Sequence, residues 1–201
     1  SAGDEAIVIG AHYDHLGYGT YGSLYAGTDK QIHHGADDNA SGVAGALELA
    51  QKFASQKESI KRDIVFMLFS GEEAGLLGSN FFTKSSKFKE MNVVAMLNMD
   101  MIGRVKNEQL VIYGIGSSPM WEPVIKNYNT NYNFDITYTK AGFGRSDHSS
   151  FYTNNVPAVH FFSGSHEDYH RPSDTYEKLD YSGQERIVKL VYDVTSEIDA
   201  E

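Results

Sequence analysis

Six short apolar runs alternate along this chain with longer segments of helical periodicity. The runs cover residues 6–11, 63–69, 93–99, 110–113, 134–139 and 158–162. The second run is apolar at every position from Ile64 to Phe69, as expected of a central strand covered on both faces. Strands that alternate with helices predict an α/β fold, a three-layer helix–sheet–helix sandwich with a mostly parallel mixed sheet.

Helical periodicity predicts two long helices and three short ones. The first long helix is expected over residues 41–56, with an inner face of Val43, Leu47, Ala50 and Ala54. The second begins near Ser182, because Ser182 and Glu185 have the spacing of a capping box. Its apolar face comprises Ile187, Leu190, Val191, Val194 and Ile198. The short helices are expected over residues 75–84, 119–129 and 148–153.

Composition narrows the classes of function. The 201 residues, 41% of them hydrophobic, suffice for one domain with a sizeable core. No apolar run approaches the roughly 20 residues of a membrane-spanning helix, and the first five residues lack the features of a signal peptide. A net charge of −10 disfavours nucleic acid as a partner. The absence of cysteine leaves His, Asp and Glu as the available zinc ligands.

Residues able to bind a metal stand where the predicted strands end. His12 follows the first run, Glu72 and Glu73 follow the second after a Ser-Gly pair, and Asp100 follows the third. Asp38 precedes the first helix, and His170 lies in the loop after the last strand. Ligands of parallel α/β sheets bind at the carboxyl ends of the strands, so we expect these side chains to meet around a cation.

The chemistry of this set favours zinc, which accepts imidazole and carboxylate ligands. Two histidines and three carboxylates are too many for one catalytic zinc with an open position. They suit two ions, roughly 3.5–4 Å apart, that share a carboxylate and a water. Each piece alone has a simpler interpretation: His12 is a structural residue, Asp37-Asp38-Asn39 is a helix N-cap, and Glu72-Glu73 is a solvated turn. Their joint occurrence at strand ends favours the metal site.

The surrounding residues resemble the successive motifs of the co-catalytic dizinc aminopeptidases, the metallopeptidases typified by bacterial leucyl aminopeptidases. The matching motifs are residues 10–14 (GAHYD), 35–42 (GADDNASG), 70–79 (SGEEAGLLGS), 98–100 (NMD) and 169–170 (YH). The resemblance runs from about residue 7 to residue 179. It implies the zinc-exopeptidase fold, and glutaminyl cyclases and transferrin-receptor-like proteins are wider relatives.

The resemblance implies two zinc ions per chain. His12, Asp38 and Asp100 would hold one ion, and Asp38, Glu73 and His170 would hold the other, so that Asp38 bridges them. The peptide bond after the bridging aspartate is commonly cis in this family, which implies a cis bond between Asp38 and Asn39.

Three further residues have implied roles around the metals. Glu72 matches the general base that takes a proton from the metal-bridging water and passes it to the leaving amine. Tyr169 matches a tyrosine that stabilises the oxyanion, although it could equally pack against His170. Asp14 would accept a hydrogen bond from His12 and so fix its tautomer.

Residues 142–149 also resemble a family motif and are expected to form part of the substrate wall. The predicted substrate contacts are Phe143, Arg145, His148 and Phe151, and nearby aromatic residues such as Tyr152 suggest apolar side chains as substrates. Asp147 would support the site from behind the ligands, with an N-cap role for Asp147 or Ser146 left open. His160 is expected in the core. The other histidines, His15, His33, His34 and His166, are expected in loops, with His33 and His34 near enough to line the cleft.

The function expected from these features is removal of N-terminal residues from peptides with a free amine. A glutaminyl-cyclase-like acyltransferase with one zinc and a non-catalytic receptor-like domain are alternatives. So is a carboxypeptidase in which Arg145 or Arg171 grips a free carboxylate. Relatives usually carry a helix and an edge strand before the His12 strand, so residues 1–201 are expected to be one catalytic domain of a longer protein with an upstream domain. A secreted or periplasmic location is also expected.

Overall fold

The computed structural model of this protein describes residues 4–201; residues 1–3, which belong to the segment considered for a signal peptide, lie outside the described residues. The strands are β1 (Glu5–His12), β2 (Asp63–Phe69), β3 (Asn92–Met99), β4 (Gln109–Tyr113), β5 (Asp135–Thr139) and β6 (Ala158–Phe162). They form one sheet in the order β2-β1-β3-β6-β4-β5. Only the β4–β6 pair is antiparallel, which confirms a mostly parallel mixed sheet.

Helices cover both faces of the sheet. The α-helices are α1 (Gly42–Ala54), α2 (Leu77–Thr83), α3 (Ser86–Glu90), α4 (Trp121–Asn129), α5 (His148–Tyr152) and α6 (Tyr181–Ala200). Short 3₁₀ helices lie at Lys57–Ser59, Ile115–Ser117 and Tyr176–Lys178, and Ala36–Ser41 is an irregular turn whose backbone is not helical at Asp38 and Asn39. Helices α1, α4 and α6 contribute to the larger apolar core and α2, α3 and α5 to the smaller one. The predicted three-layer sandwich is therefore confirmed.

Successive side chains of the central strands point alternately into the larger and the smaller core. In β1, Ile7 and Ile9 enter the larger core and Val8 enters the smaller one. In β3, Leu97 faces the larger core and Met96 the smaller. Because successive strand residues point to opposite faces, an apolar run buried on both sides needs helices above and below it.

Strand β2 was expected at the centre of the sheet, and this expectation is wrong. Within residues 4–201 it pairs only with β1, and most of its residues are half-buried or exposed, with Leu68 40% exposed. A continuous apolar run shows that both faces meet apolar surroundings, but it carries no information about how many strands pair with it. Position within a sheet depends on non-local pairing.

Helix α1 buries a different face from the one expected. Ala46, Leu49 and Phe53 are buried, whereas Leu47 is 59% exposed. The buried face includes Gly45, whose missing side chain makes room for Ile102 and other core residues. Counting only apolar side chains missed this face, because the glycine lets the helix backbone approach the sheet closely.

Helix α6 starts at a different cap from the one predicted. Asp180 is the N-cap, and its Oδ1 accepts a hydrogen bond from the amide of Gly183 at 3.1 Å. Ser182 lies within the first turn, because an aspartate two residues earlier already satisfies the free amides of the helix start. The predicted inner face of α6 is fully buried and is confirmed. Across residues 4–201, no helix combines the length and hydropathy needed to cross a membrane.

Candidate metal centre and cleft

The polar residues predicted to meet do meet at the carboxyl ends of three neighbouring strands. His12 is the last residue of β1, Asp100 directly follows β3, and Glu72 and Glu73 lie in the turn after β2. Strands β2 and β3 pair with opposite edges of β1, so the order in which strands are added to the sheet reverses at β1. Such a switch point opens a crevice at the strand ends, where ligands of α/β proteins bind.

One group of possible ligands is centred on His12. Its Nε2 lies 3.3 Å from Asp100 Oδ1 and 3.3 Å from Asp38 Oδ1. All three side chains are largely buried, and their ligand atoms lie close enough together to hold one ion. Buried carboxylates at this spacing need a compensating positive charge.

A second group meets at the other oxygen of Asp38. His170 Nε2 lies 3.2 Å from Asp38 Oδ2 and 3.0 Å from Glu73 Oε2. Both Asp38 Oδ2 and His170 Nε2 are buried, yet neither makes a hydrogen bond within the described part of the chain. Buried polar atoms that lie close together without hydrogen bonds are expected around the position of a cation. These residues therefore fit zinc.

The pKa values of the residues in both groups show that each group favours a bound positive charge. Burial lowers the pKa of His12, but Asp100 and Asp38 outweigh it and raise this pKa far above its ordinary value. Burial likewise lowers the pKa of His170, but Asp38 and Glu73 raise it to about 10. Burial raises the pKa of Glu73, yet the nearby imidazoles of His15 and His170 bring it down to about 2. A proton or a metal cation can meet this demand.

Glu72 lies beside the two groups without joining either. Its Oε2 is 4.0 Å from His12 Nε2, and its side chain lines the cleft. Burial raises the pKa of Glu72 to about 9; His12 opposes this rise, and Asp100 and Asp147 add to it. A carboxylate that is placed near the ligands and favours its protonated form is suited to carry a proton.

Asp14 supports the site differently from the prediction. His12 Nδ1 donates to the main-chain carbonyl of Asp14 at 3.1 Å, while the Asp14 carboxylate lies 3.7 Å away. That carboxylate instead accepts hydrogen bonds from the amides of Glu72 and Glu73, at 3.0 and 3.3 Å. The predicted hydrogen bond from His12 to Asp14 is therefore present, but its acceptor is the main-chain carbonyl, because the two amides engage the carboxylate. Asp14 fixes the turn that presents both glutamates.

The segment carrying Asp38 has an unusual backbone. The Asp38–Asn39 peptide bond is cis, which confirms the expectation. Asn39 Oδ1 accepts a hydrogen bond from Gly42 N at 2.9 Å, so Asn39, and not Asp38, caps the start of α1. A side chain at Gly42 would collide with the carbonyl of Met99.

Two residues behind Asp38 were missed in the sequence. Asp174 is buried, and its Oδ2 accepts hydrogen bonds from the amides of Asp37 and Asp38 at 3.0 and 3.1 Å. His166 Nε2 lies 3.0 Å from Asp37 Oδ2, although His166 was expected only as a loop residue. The two adjacent aspartates in the motif GADDN were a signal in the sequence that Asp37 has its own partners, because two neighbouring carboxylates rarely have the same function.

Tyr169 fits both roles considered for it. Its ring stacks on that of His170, with 3.8 Å between ring centroids, and it also lines the cleft. Burial, together with the nearby carboxylates of Asp38 and Glu73, raises the pKa of Tyr169 above its ordinary value, so its hydroxyl keeps its proton. The role of this hydroxyl in catalysis stays a prediction.

Next to the two groups lies a cleft of about 680 Å³. Arg145 and His148, both predicted as substrate contacts, line this cleft, and so do Tyr113 and His160. His160 was expected only in the core, but its ring stacks on His148 with 4.9 Å between centroids and an angle of 13°. Burial lowers the pKa of His148 to about 2 and that of His160 to about 4. Both imidazoles are therefore neutral.

Two predicted substrate contacts are wrong. Phe151 is completely buried in the smaller core against Phe69 and Phe82, because the single turn of α5 directs it onto the sheet. Phe143 is 64% exposed and packs edge-on against Tyr152 outside the cleft, with 4.8 Å between centroids. Tyr152 lines the same outer depression as Phe143.

Asp147 is buried beside the site and occupies the N-cap position of α5. Its side chain makes no capping bond to α5, and neither carboxylate oxygen has a hydrogen-bond partner among residues 4–201. Burial raises the pKa of Asp147 to about 6. Its predicted supporting role stays a prediction.

Among the remaining histidines, His15 stands out. Expected only in a loop, it reaches the second group, where its Nδ1 lies 3.0 Å from Glu73 Oε1. His33 is buried and hydrogen-bonds to Ser23 Oγ at 2.7 Å, whereas His34 is exposed. Neither His33 nor His34 lines the cleft.

The chain is similar to proteins named as leucine aminopeptidases and zinc metalloproteases. The model of peptidase family M28 matches residues 1–195. A probable leucine aminopeptidase of Arthroderma otae is 30% identical over 198 residues, which is 94% of this chain and 52% of that protein. A probable zinc metalloprotease of Pyrenophora tritici-repentis is 50% identical over 74 residues, which is 37% of this chain and 17% of that protein.

Among solved structures, the LapA aminopeptidase of Legionella pneumophila superimposes with a TM-score of 0.81 at 26% identity. The match covers 98% of this chain and 52% of the LapA chain. The matches to the Arthroderma otae protein and to LapA cover nearly all of this chain. The chain itself spans only about half the length of either relative.

Proposed function

Because this chain belongs to peptidase family M28, we propose that it is a zinc-dependent aminopeptidase that uses two metal ions. The observation that carries the proposal is the division of Asp38 between two histidines. Its Oδ1 lies 3.3 Å from His12 and its Oδ2 lies 3.2 Å from His170. One carboxylate with an imidazole at each oxygen supports the proposal of two adjacent cation positions.

The proposed first position is formed by His12, Asp38 and Asp100, and the second by Asp38, Glu73 and His170. Zinc bound there supplies Lewis-acid polarisation of a peptide carbonyl and lowers the pKa of water. All remaining steps fall to side chains of the chain itself.

Glu72 is the proposed general base. It takes a proton from the attacking water at its carboxylate and returns that proton to the nitrogen of the leaving amine. Support comes from its place in the cleft, outside both ligand groups. The hydroxyl of Tyr169, which lines the same cleft, is the proposed hydrogen-bond donor to the carbonyl oxygen as negative charge develops there.

The charge of the cleft depends on the proposed zinc ions. Four of its lining residues are carboxylates: Asp38, Glu72, Glu73 and Asp100. Arg145 is the only lysine or arginine among the described lining residues, and Arg171 does not line the cleft. Two bound zincs would neutralise Asp38, Glu73 and Asp100, which leaves Glu72 and Arg145 as the charged side chains of the cleft. The preference for an aminopeptidase over a carboxypeptidase therefore rests on the similarity to leucine aminopeptidases.

The proposal is tested by Glu72→Gln together with a zinc-to-protein ratio. The variant should retain two zincs per chain, while kcat on an aminoacyl anilide falls about 100- to 10,000-fold, because a positioned base is lost. The matched control is Glu122→Gln, which changes an exposed glutamate paired with Lys126 on α4. Full turnover by Glu72→Gln would refute the assignment of the base.

A substrate panel tests the specificity. Peptides with a free amine should be cleaved, and the same peptides with an acetylated N-terminus should not. One zinc per chain together with cyclisation of N-terminal glutamine would point to a glutaminyl-cyclase-like enzyme. Release of C-terminal residues, abolished by Arg145→Met, would point to a carboxypeptidase.

A further inference from the structure

The loop between β1 and the Ala36–Ser41 segment lies against the second cation position. His170 Nδ1 donates a hydrogen bond to the carbonyl of Gly22 at 2.7 Å. In return, the amide of Leu24 donates to the carbonyl of His170 at 2.9 Å. This loop therefore holds His170 from two sides.

The same loop contacts the neighbouring ligand through His15. The His15 side chain is only 10% exposed, and its Nδ1 lies 3.0 Å from Glu73 Oε1. The other oxygen of Glu73, Oε2, lies 3.0 Å from His170 Nε2. Each oxygen of this carboxylate thus faces a different histidine, and only one of the two histidines is a proposed ligand.

We propose that His15 is a positioning residue that holds Glu73 by a hydrogen bond to Oε1 and so sets the zinc affinity of the second position. This inference rests on the proposed function, because it requires zinc at that position. Without His15 the Glu73 carboxylate can rotate about its Cγ–Cδ bond and present its two oxygens to the metal ion differently. Partners of this kind typically change metal affinity about 10- to 100-fold.

The geometry favours a positioning role over direct binding of metal by His15. Its Nδ1 is 3.9 Å from Asp38 Oδ2, whereas His170 Nε2 is 3.2 Å from the same oxygen. His170 therefore approaches Asp38 more closely than His15 does. His15, Asp38 and Glu73 also offer ligand atoms within 4.8 Å of one another, so direct binding of the ion by His15 is the alternative that the test has to exclude.

The effect should be confined to one of the two positions. His12 is held by the carbonyl of Asp14 and by contacts with Asp38 and Asp100. No hydrogen bond or ion pair joins His15 to His12 or Asp100 within the described residues. The first position should therefore keep its affinity when His15 is changed.

The test compares zinc binding by wild type, His15→Ala, His15→Asn and the control His34→Ala. Competition with a chromophoric chelator gives two dissociation constants for each protein. His15→Ala should weaken one constant about 10- to 100-fold and leave the other unchanged. His15→Asn, whose amide nitrogen can stand near the place of Nδ1, should restore most of the loss. His34→Ala removes an exposed histidine from the same loop and should match wild type.

Three results would overturn the inference. The first is unchanged binding by a folded His15→Ala protein, and the second is His15→Asn behaving like His15→Ala. The third comes from X-ray absorption of zinc-loaded wild type: two imidazoles for each pair of zincs are expected, and three would make His15 a ligand. If wild type itself binds fewer than two zincs, the proposed function fails instead, and the two failures are distinguishable.

Discussion

Replacing His148 with phenylalanine should make the protein more resistant to acid. His148 is fully buried, stacks on His160, and has no hydrogen-bond partner at either ring nitrogen among the described residues. Burial lowers its pKa from 6.5 to about 2 in the folded protein. Below pH 6.5 the unfolded chain binds a proton at this residue that the folded protein refuses, so stability falls as the pH drops from about 6.5 towards 2.

The magnitude follows from the size of this window. Each pH unit below 6.5 costs about 1.4 kcal/mol of unfolding free energy, because one pKa unit corresponds to that energy. At pH 5 the wild type has therefore lost about 2 kcal/mol through His148 alone. Phenylalanine cannot titrate, and it also removes two unpartnered nitrogens from the interior.

Urea unfolding of both proteins in the presence of chelator, at pH 7.5, 6.5, 5.5 and 5.0, measures the effect. The difference in unfolding free energy between variant and wild type should grow by about 2 kcal/mol in favour of the variant between pH 6.5 and 5.0. His34→Phe serves as the control, because its exposed imidazole is solvated in both states. A difference for His148→Phe that does not change with pH would refute the reasoning.

Three further predictions concern the site and the sheet. Asp38→Asn should release both zincs and not one, as measured by elemental analysis; one retained zinc would contradict the bridge. Asp174→Ala leaves the amides of Asp37 and Asp38 without an acceptor and should cost roughly 2–6 kcal/mol in urea unfolding, with Asp174→Asn less affected; equal stability would contradict it. Phe151→Ala should cost about 3–5 kcal/mol through a cavity in the core; a raised KM at unchanged stability would instead restore its predicted contact with substrate.

Local patterns located the strands well, because each apolar run is bounded by polar or turn residues. All six predicted strands are present, and β6 has the predicted bounds. The groups around His12 and His170 were also within reach, because ligand residues directly follow strand ends that a parallel sheet brings together. In these cases the local sequence and the sheet topology agree.

Features that depend on distant partners could not be predicted. His15 and Glu73 are 58 positions apart, and Asp37 and Asp174 are 137 apart, so no spacing rule joins them. The edge position of β2 has the same cause. Phe151 was misplaced because a helix of five residues is too short for its periodicity to identify the inner face.

The distribution of the proposed ligands along the chain ties zinc to folding. His12 and His170 are separated by nearly the whole chain, and Asp38, Glu73 and Asp100 come from three further segments. An unfolded chain cannot bring these groups together, so any ion that binds there binds the native state alone. By mass action, free zinc at 100 times its dissociation constant would add about 2.7 kcal/mol to the free energy of unfolding for each such position. The melting temperature of this protein should therefore report the concentration of free zinc around it.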